Sequence, residues 1–396
     1  MNWEEVLAPR TARMKASEIR ELLKLLDQPD IISFAGGIPD PALFPVTEFR
    51  QAYEAIFASD QQKLALQYSV SEGYAPLRQW LVSEMGKLGI PCNIDNILIT
   101  SGSQQALDYL GKLFLSPGDT ALVTSPTYLG ALGAFNAYEP QYANIAATDG
   151  AGAAADDAKV KFAYASVDFA NPTGRTLDLA TREHLLDDAE KQGFAIIEDA
   201  AYQALRYDGE ALPPILALDI ARNGDIEKTR TLYCGSFSKT LAPGLRIGWV
   251  CAASAVIAKL VLMKQAADLH SPTINQMVIA NVVTKTFDQQ VEKVRIAYRA
   301  RRDCMLQALA THMPQSVEWT QPEGGMFIWL TLDPSIDGAA LLAKSLISEK
   351  VAFVPGKAFF HDGSGANTIR LSFSATNEDT ITKGIKRLAT LIRKES

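Results

Sequence analysis

The sequence predicts an α/β fold: a mainly parallel sheet covered by helices on both faces, followed by a smaller α+β unit. Three observations predict it. Six short apolar runs, at 96–100, 120–124, 160–166, 194–199, 231–235 and 247–252, are separated mostly by helical patterns. Such alternation builds crossover units and a parallel sheet. From about Phe287 the pattern changes to a long helical stretch (289–309), Val317-Glu318-Trp319, a strand at 326–330, a helix, an alternating strand at 368–374 and a closing helix at 378–393. Finally, 396 residues suit one large domain plus a smaller one. The expected division is an N-terminal arm over 1–45, a large domain over 46–286 and a small C-terminal domain over 287–396.

Composition narrows the function classes. Hydrophobic residues make up 47% and charged residues 21%, as in an ordinary soluble globular protein. A net charge of −7 and a pI near 5.3 argue against a nucleic-acid surface. Cys92, Cys234, Cys251 and Cys304 form no Cys-x-x-Cys pair, and buried reduced thiols in a cytoplasmic protein are the simplest account. The four histidines match no zinc motif, so no metal is expected. Met1-Asn2-Trp3-Glu4-Glu5 has neither a basic region nor an apolar core, so no secretion signal is expected. No apolar run is long enough to span a membrane. The stretch 146–159, with Asp-Gly and many alanines, reads as a surface connection. There is no internal repeat or low-complexity tail.

Each candidate for chemistry in these runs falls at or just after a strand end, where such sheets bind ligands. The first run, at 96–100, opens through Ser101-Gly102-Ser103-Gln104-Gln105 into a helix. Free N–H groups and the dipole make such a start an anion site. Ser103 is either an ordinary N-cap or part of that site. There is no nucleotide P-loop and no Gly-x-Gly-x-x-Gly. The run at 121–124 leads through Ser125-Pro126-Thr127 to Tyr128, an aromatic suited to a core or to stacking on a flat ring. Tyr164-Ala165-Ser166-Val167 leads into Asp168-Phe169-Ala170-Asn171-Pro172-Thr173-Gly174, a turn in its own right. The run at 194–199 ends in Asp199. That acid can cap a following helix or, buried, must meet a cation. Tyr202 lies one helical turn beyond, on the same face.

The run at 231–235 delivers Ser236-Phe237-Ser238-Lys239-Thr240-Leu241-Ala242-Pro243-Gly244-Leu245-Arg246. Two hydroxyls and a guanidinium suit a phosphate, and Lys239 between them can bond an aldehyde carbon. Pyridoxal 5'-phosphate requires that combination. With this cofactor in view, Asp199 pairs with a protonated pyridinium nitrogen, which makes the ring an electron sink. Asn171 and Tyr202 serve its ring hydroxyl, Tyr128 covers the ring, and Ser103 joins Ser236, Ser238 and Arg246 around the phosphate.

Further motifs lie outside these runs: Ser17-Glu18-Ile19-Arg20-Glu21-Leu22-Leu23, Phe34-Ala35-Gly36-Gly37-Ile38-Pro39, Leu66-Gln67-Tyr68-Ser69, Glu72-Gly73-Tyr74-Ala75-Pro76-Leu77-Arg78, Gly324-Gly325-Met326-Phe327 and Thr368-Ile369-Arg370-Leu371-Ser372-Phe373. In this order they resemble the fold-type I, pyridoxal-phosphate-dependent aminotransferases of class I/II, and within them the 2-aminoadipate and kynurenine aminotransferase subgroup. The resemblance implies an aspartate-aminotransferase-like fold with a seven-stranded-type sheet in the large domain, and a homodimer with shared active sites. It implies Lys239 as the covalent anchor and base, with Asp199 and Tyr202 assisting. Gln104 joins the phosphate ligands, and Tyr68 reaches the partner's cofactor and substrate. Arg370 clamps the substrate α-carboxylate beside Asn171 and Gly37.

Residues 17–26 read as an amphipathic helix capped by Ser17. The resemblance suggests that it folds over the site and that Arg20 meets a distal substrate group. The implied reaction moves an amino group from 2-aminoadipate, kynurenine, an aromatic or a branched-chain amino acid to a 2-oxo acid, most readily 2-oxoglutarate. Two alternatives stay open at this level: a lyase, racemase or decarboxylase on the same cofactor, and a non-catalytic effector-sensing domain.

Overall fold

The computed structural model describes residues 2–14, 30–145 and 159–395. The expected helix at 17–26, with Arg20, and the expected connection after Ile145 lie outside the described residues. In chain order the strands are β1 (Ile32–Ser33), β2 (Ile97–Thr100), β3 (Thr120–Val123), β4 (Gln141–Asn144), β5 (Val160–Ser166), β6 (Ala195–Asp199), β7 (Thr231–Ser236) and β8 (Gly248–Cys251), then β9 (Glu318–Trp319), β10 (Phe327–Thr331), β11 (Val351–Ala352), β12 (Val354–Pro355) and β13 (Thr368–Ser372).

Seven strands form one sheet in the order β2-β8-β7-β6-β5-β3-β4. All neighbours are parallel except at β8, which runs antiparallel to both β2 and β7. β2, β3, β7 and β8 are buried along their whole length. That is why they read as continuous apolar runs rather than alternating ones. Gly235 faces Trp249 across the β7–β8 ladder, and a Cβ on Gly235 would stand 2.2 Å from the indole. Glycine therefore lets that ring lie flat over the strand. β4 was not foreseen: it is a polar, partly exposed edge strand, and its burial pattern carries no apolar signal.

The second sheet is antiparallel, in the order β12-β13-β10-β9. The adjacent β1 and β11 pair in parallel, tying the segment after Asp30 to this part of the fold. The helix Thr273–His312 connects the two regions as one element of 40 residues. Sequence reading started it at 289, because Val278, Ile279, Val282, Val283, Thr284 and Thr286 are β-branched and weak helix formers. Its first half packs through Met277, Val278 and Val283 with the core of the seven-stranded sheet. Its second half packs through Val294, Tyr298 and Met305 with the core beneath β10 and β13. The packing partner thus changes between Phe287 and Val294 without a break in the helix.

No helix starts directly after β6: residues 201–204 form a turn and the next helix begins at Ile215, so Asp199 is not a helix cap. Of the four cysteines, all free, only Cys234 and Cys251 are buried, whereas Cys92 and Cys304 are half-buried. Among the described residues no helix is long and apolar enough to cross a membrane, and no cluster of three or more His, Cys, Asp or Glu could hold a metal ion.

The loop after β5 is pinned by a buried ion pair. Arg182 donates to Asp168 Oδ1 at 2.8 Å and to the carbonyls of Leu177, Pro213 and Val167. Removing one partner leaves an uncompensated buried charge, a cost of about 3–5 kcal/mol. Asp168→Ala is therefore expected to lower the thermal unfolding midpoint clearly. A midpoint equal to wild type would show that the pair does not hold this loop.

Candidate active site

The carboxyl ends of parallel strands converge on one edge of the sheet, where α/β folds bind ligands. β2 ends before Ser101, β3 before Tyr128, β5 before Asn171, β6 in Asp199 and β7 in Ser236. β8 enters from the opposite direction, and its first residue Gly248 is registered with both Thr100 and Ser236. Antiparallel entry therefore brings Arg246, just ahead of it, to the same edge.

Asp199 is buried and accepts a 2.7 Å hydrogen bond from the Tyr164 hydroxyl and a 3.3 Å bond from the Ala201 N–H. Burial pushes its carboxyl above the usual range, while the Tyr164 bond opposes the rise. Lys239 donates from Nζ to the Gly37 carbonyl at 3.0 Å, and Nζ lies 5.7 Å from the Tyr202 ring centroid. Its amine is lowered to about 8 by burial, then by the nearby Arg370 and Arg246 guanidinium groups, with Asp199 opposing. Tyr202 is buried beside Asn171, and desolvation raises its phenol. Tyr128 precedes the helix Leu129–Asn136, close enough to affect the ionisation of Tyr202 and Arg370.

Where β2 and β8 meet at this edge, Gly102 has φ +81°, and a Cβ there would strike the Arg246 guanidinium at 2.3 Å. The absent side chain is what lets Arg246 lie over the start of the helix Ser103–Phe114. Ser103 and Gln104 occupy its first turn, whose N–H groups have no intrahelical acceptor. The Gln104 side chain reaches the Gly130 carbonyl at 2.7 Å. Ser236 is buried, and its Oγ accepts from the Ser238 N–H at 3.1 Å.

Arg370 lies mid-strand in β13, paired with Trp329 and Val354, and is only 1% exposed. Nη1 donates to Asn171 Oδ1 at 2.7 Å and Nη2 to the Ala35 carbonyl at 2.8 Å. Nε has no hydrogen-bond partner. The guanidinium lies over Phe327 (4.3 Å) and near Phe359 (5.2 Å). Burial lowers its pKa to about 10. Among the described residues no carboxylate pairs with it.

Thus Lys239, Asp199, Asn171, Tyr202, Arg370 and Gly37 come together, with Ser103, Ser236, Ser238 and Arg246 gathered at the neighbouring strand ends. Tyr68 does not join them within the chain: it is 77% exposed, with its ring edge-on to His270. Sequence reading missed Tyr164, which holds Asp199. Its position in β5 opposite Ile197, two residues from Asp199 in the neighbouring strand, becomes visible only from the strand register.

This chemistry fits pyridoxal phosphate: a buried acid for a ring nitrogen, a desolvated amine for an aldehyde, and a guanidinium over a helix start for a phosphate. The family model "Aminotransferase class I and II" matches residues 29–388, and the chain belongs to that family of pyridoxal-phosphate-dependent aminotransferases. Over its whole length the chain is 42% identical to aromatic-amino-acid aminotransferase 1 of Thermococcus litoralis, covering 96% of that protein. The kynurenine aminotransferase of Pyrococcus horikoshii, solved with its substrates and products, superposes with a TM-score of 0.90 at 42% identity, covering 100% of this chain and 98% of that one. The α-aminoadipate aminotransferase of Thermus thermophilus, complexed with N-(5'-phosphopyridoxyl)-L-leucine, superposes with a TM-score of 0.89 at 37% identity, covering 100% and 99%.

The charges around Lys239 make its amine testable. In full-length protein freed of cofactor, modification of Lys239 by trinitrobenzenesulfonate, followed by peptide mass spectrometry, should rise through a midpoint near pH 8. Asp199→Asn removes the opposing charge and should move the midpoint down, whereas Arg370→Leu should move it up. A wild-type midpoint near the ordinary 10.5 would contradict the desolvated, cation-flanked setting.

Proposed function

We propose that the chain transfers the amino group of an L-amino acid of 2-aminoadipate, aromatic, kynurenine or branched-chain type to a 2-oxo acid, with 2-oxoglutarate as the acceptor. The carrying observation is Arg370: a guanidinium 1% exposed, with neutral partners only and one N–H unpaired. A buried cation of this kind calls for an anion. A planar fork suits a carboxylate.

When bound, pyridoxal phosphate supplies a protonated ring that stabilises negative charge at the substrate α-carbon. Asp199, held by Tyr164, would keep the ring nitrogen protonated. Asn171 has its oxygen committed to Arg370, which leaves its NH₂ for the ring hydroxyl beside Tyr202. Ser103, Gln104, Ser236, Ser238 and Arg246 would hold the phosphate, and Tyr128 would cover the ring. Lys239 would anchor the cofactor and, once released by substrate, would carry the α-proton. An amine near 8 is partly neutral at physiological pH, as a general base requires. Proton transfer by a positioned base is worth roughly 10²–10⁴-fold.

Arg370 would grip the α-carboxylate, with Asn171 and the Gly37 backbone beside it. A Cβ on Gly37 would meet the Phe327 ring at 2.8 Å, the ring that supports Arg370. Gly37→Ala would therefore disturb the clamp. Kinship with relatives named for aromatic and 2-aminoadipate substrates supports a broad donor range.

A homodimer in the cytoplasm, with Tyr68 donated across the interface to the partner's cofactor and substrate, completes the proposal. Phe57, Leu64, Leu66, Tyr68 and Val70 are exposed along one short stretch. Such an apolar surface fits cover by a second copy. We place the domain division at 45/46 and 286/287, and assign Arg20 to the distal end of the substrate.

A panel of amino acids with 2-oxoglutarate, read by product analysis, tests the donor class. A clear preference outside these types would overturn that assignment. Arg370→Leu should cut kcat/KM about 100-fold, the value of a lost charged hydrogen-bond pair. Arg370→Lys should recover little of it, because an ammonium lacks the fork. Native kcat/KM in either variant would remove Arg370 from the carboxylate site. Sedimentation should give the mass of two chains, and a fully active monomer would exclude Tyr68 from the site.

A further inference from the structure

The helix start proposed to hold the phosphate rests on a polar cluster outside the site, built around the buried Lys264. Lys264 lies near the end of the helix Ser254–Ala267, with its side chain 0% exposed. Its ammonium donates to Gln105 Oε1 at 2.8 Å, to both oxygens of Asp268 at 3.0 Å and to Ser271 Oγ at 3.0 Å. Gln105 returns a bond from Nε2 to Asp268 Oδ2 at 2.7 Å, and its Oε1 accepts the Ser101 N–H at 2.8 Å. The Ser101 hydroxyl donates to Asp268 Oδ2 at 2.9 Å and lies 3.0 Å from Ser271 Oγ.

A single segment far away in sequence, 264–271, thus grips the 101–105 turn at both ends. The grip matters because of what the turn does next. The Ser101 carbonyl faces Arg246 Nη2 at 3.4 Å, and Gly102 leaves the space that Arg246 fills. The Ser101 N–H is taken by Gln105, the Gly102 N–H by the Thr100 carbonyl and the Gln105 N–H by the Gly102 carbonyl, so the turn is fixed on either side of the Ser103 and Gln104 amides. Lys264 and Asp268 are one cation and one anion, so the pair adds little net charge to the site. Its contribution is orientation.

We propose that Lys264 and Asp268 are positioning residues for cofactor phosphate recognition, acting through Gln105 and Ser101. Neither is assigned to touch the cofactor. The inference rests on the phosphate reading of Ser103, Ser236 and Arg246. It predicts a selective effect: loosening the turn weakens the hold on the phosphate and leaves the hold on the ring intact.

The test compares two probes on full-length protein, pyridoxal 5'-phosphate and pyridoxal, which lacks the phosphate. Equilibrium binding is measured by absorbance and confirmed by dialysis. In wild type the phosphate-bearing probe binds far more tightly. Lys264→Met and Asp268→Asn should each weaken it by about tenfold or more and change pyridoxal binding less than twofold. In a double-mutant cycle, Lys264→Met combined with Gln105→Leu should cost no more than the larger single change, because both act through one turn.

Equal weakening of both probes, or an unchanged preference for the phosphate in a folded variant, overturns the inference. Asp268→Asn nearly preserves shape and guards against a collapsed Lys264→Met. Arg246→Ala separates the two readings. If it lowers the phosphate preference while Lys264→Met and Asp268→Asn do not, the positioning role fails alone. If it too leaves the preference unchanged, the phosphate site itself has been misplaced.

Discussion

A buried guanidinium without an anionic partner governs the site. Arg370 is held by two neutral oxygens and two aromatic faces inside a well-packed sheet. Burial and the positive charges of Arg370 and Arg246 depress the Lys239 amine, and Asp199 is the opposing carboxylate. Desolvating charge costs several kcal/mol per ion unless it is paired. The arrangement is therefore complementary to anionic ligands, and in the proposed reading a phosphate together with a substrate carboxylate would supply the missing charge.

The fold explains how such a concentration of charge is assembled. Parallel strands deliver Asn171, Asp199 and Ser236 to one edge, and the single antiparallel strand delivers Arg246 to that same edge. The second sheet supplies Arg370 from a central strand, where backbone pairing on both sides keeps it stiff. Phe34 from the N-terminal segment, Phe169 and Tyr202 from the first region, and Phe327 from the second share one core. The two halves of the site are therefore fixed to each other by packing as well as by the Arg370–Asn171 bond.

Much of this was legible in the chain. Strands buried within the sheet have continuous apolar runs, so β2, β3, β5, β6, β7 and β8 were read within a residue or two, and most of the polar residues singled out lie at or just beyond their ends. β4 was not legible, because an edge strand needs no apolar signature. The early start of the helix Thr273–His312 was hidden by β-branched residues that tertiary packing holds helical. Asp199 was read as strand-terminal and buried, yet the following turn and the bond from Tyr164 depend on pairing between distant segments. The Lys264–Asp268 cluster was illegible for the same reason. Its five residues, Ser101, Gln105, Lys264, Asp268 and Ser271, come from two separate segments, and each alone resembles an ordinary helix or loop position. Arg20 belongs to residues the structure does not describe, so its role rests on resemblance.

The account hangs on one side chain as the covalent anchor. Borohydride treatment of the cofactor-loaded protein, followed by proteolysis and mass spectrometry, locates the anchored lysine directly. A phosphopyridoxyl group on Lys239, absent when position 239 is alanine, is the expected result. A reduced adduct on another lysine, or none on a protein that still transaminates, would contradict it.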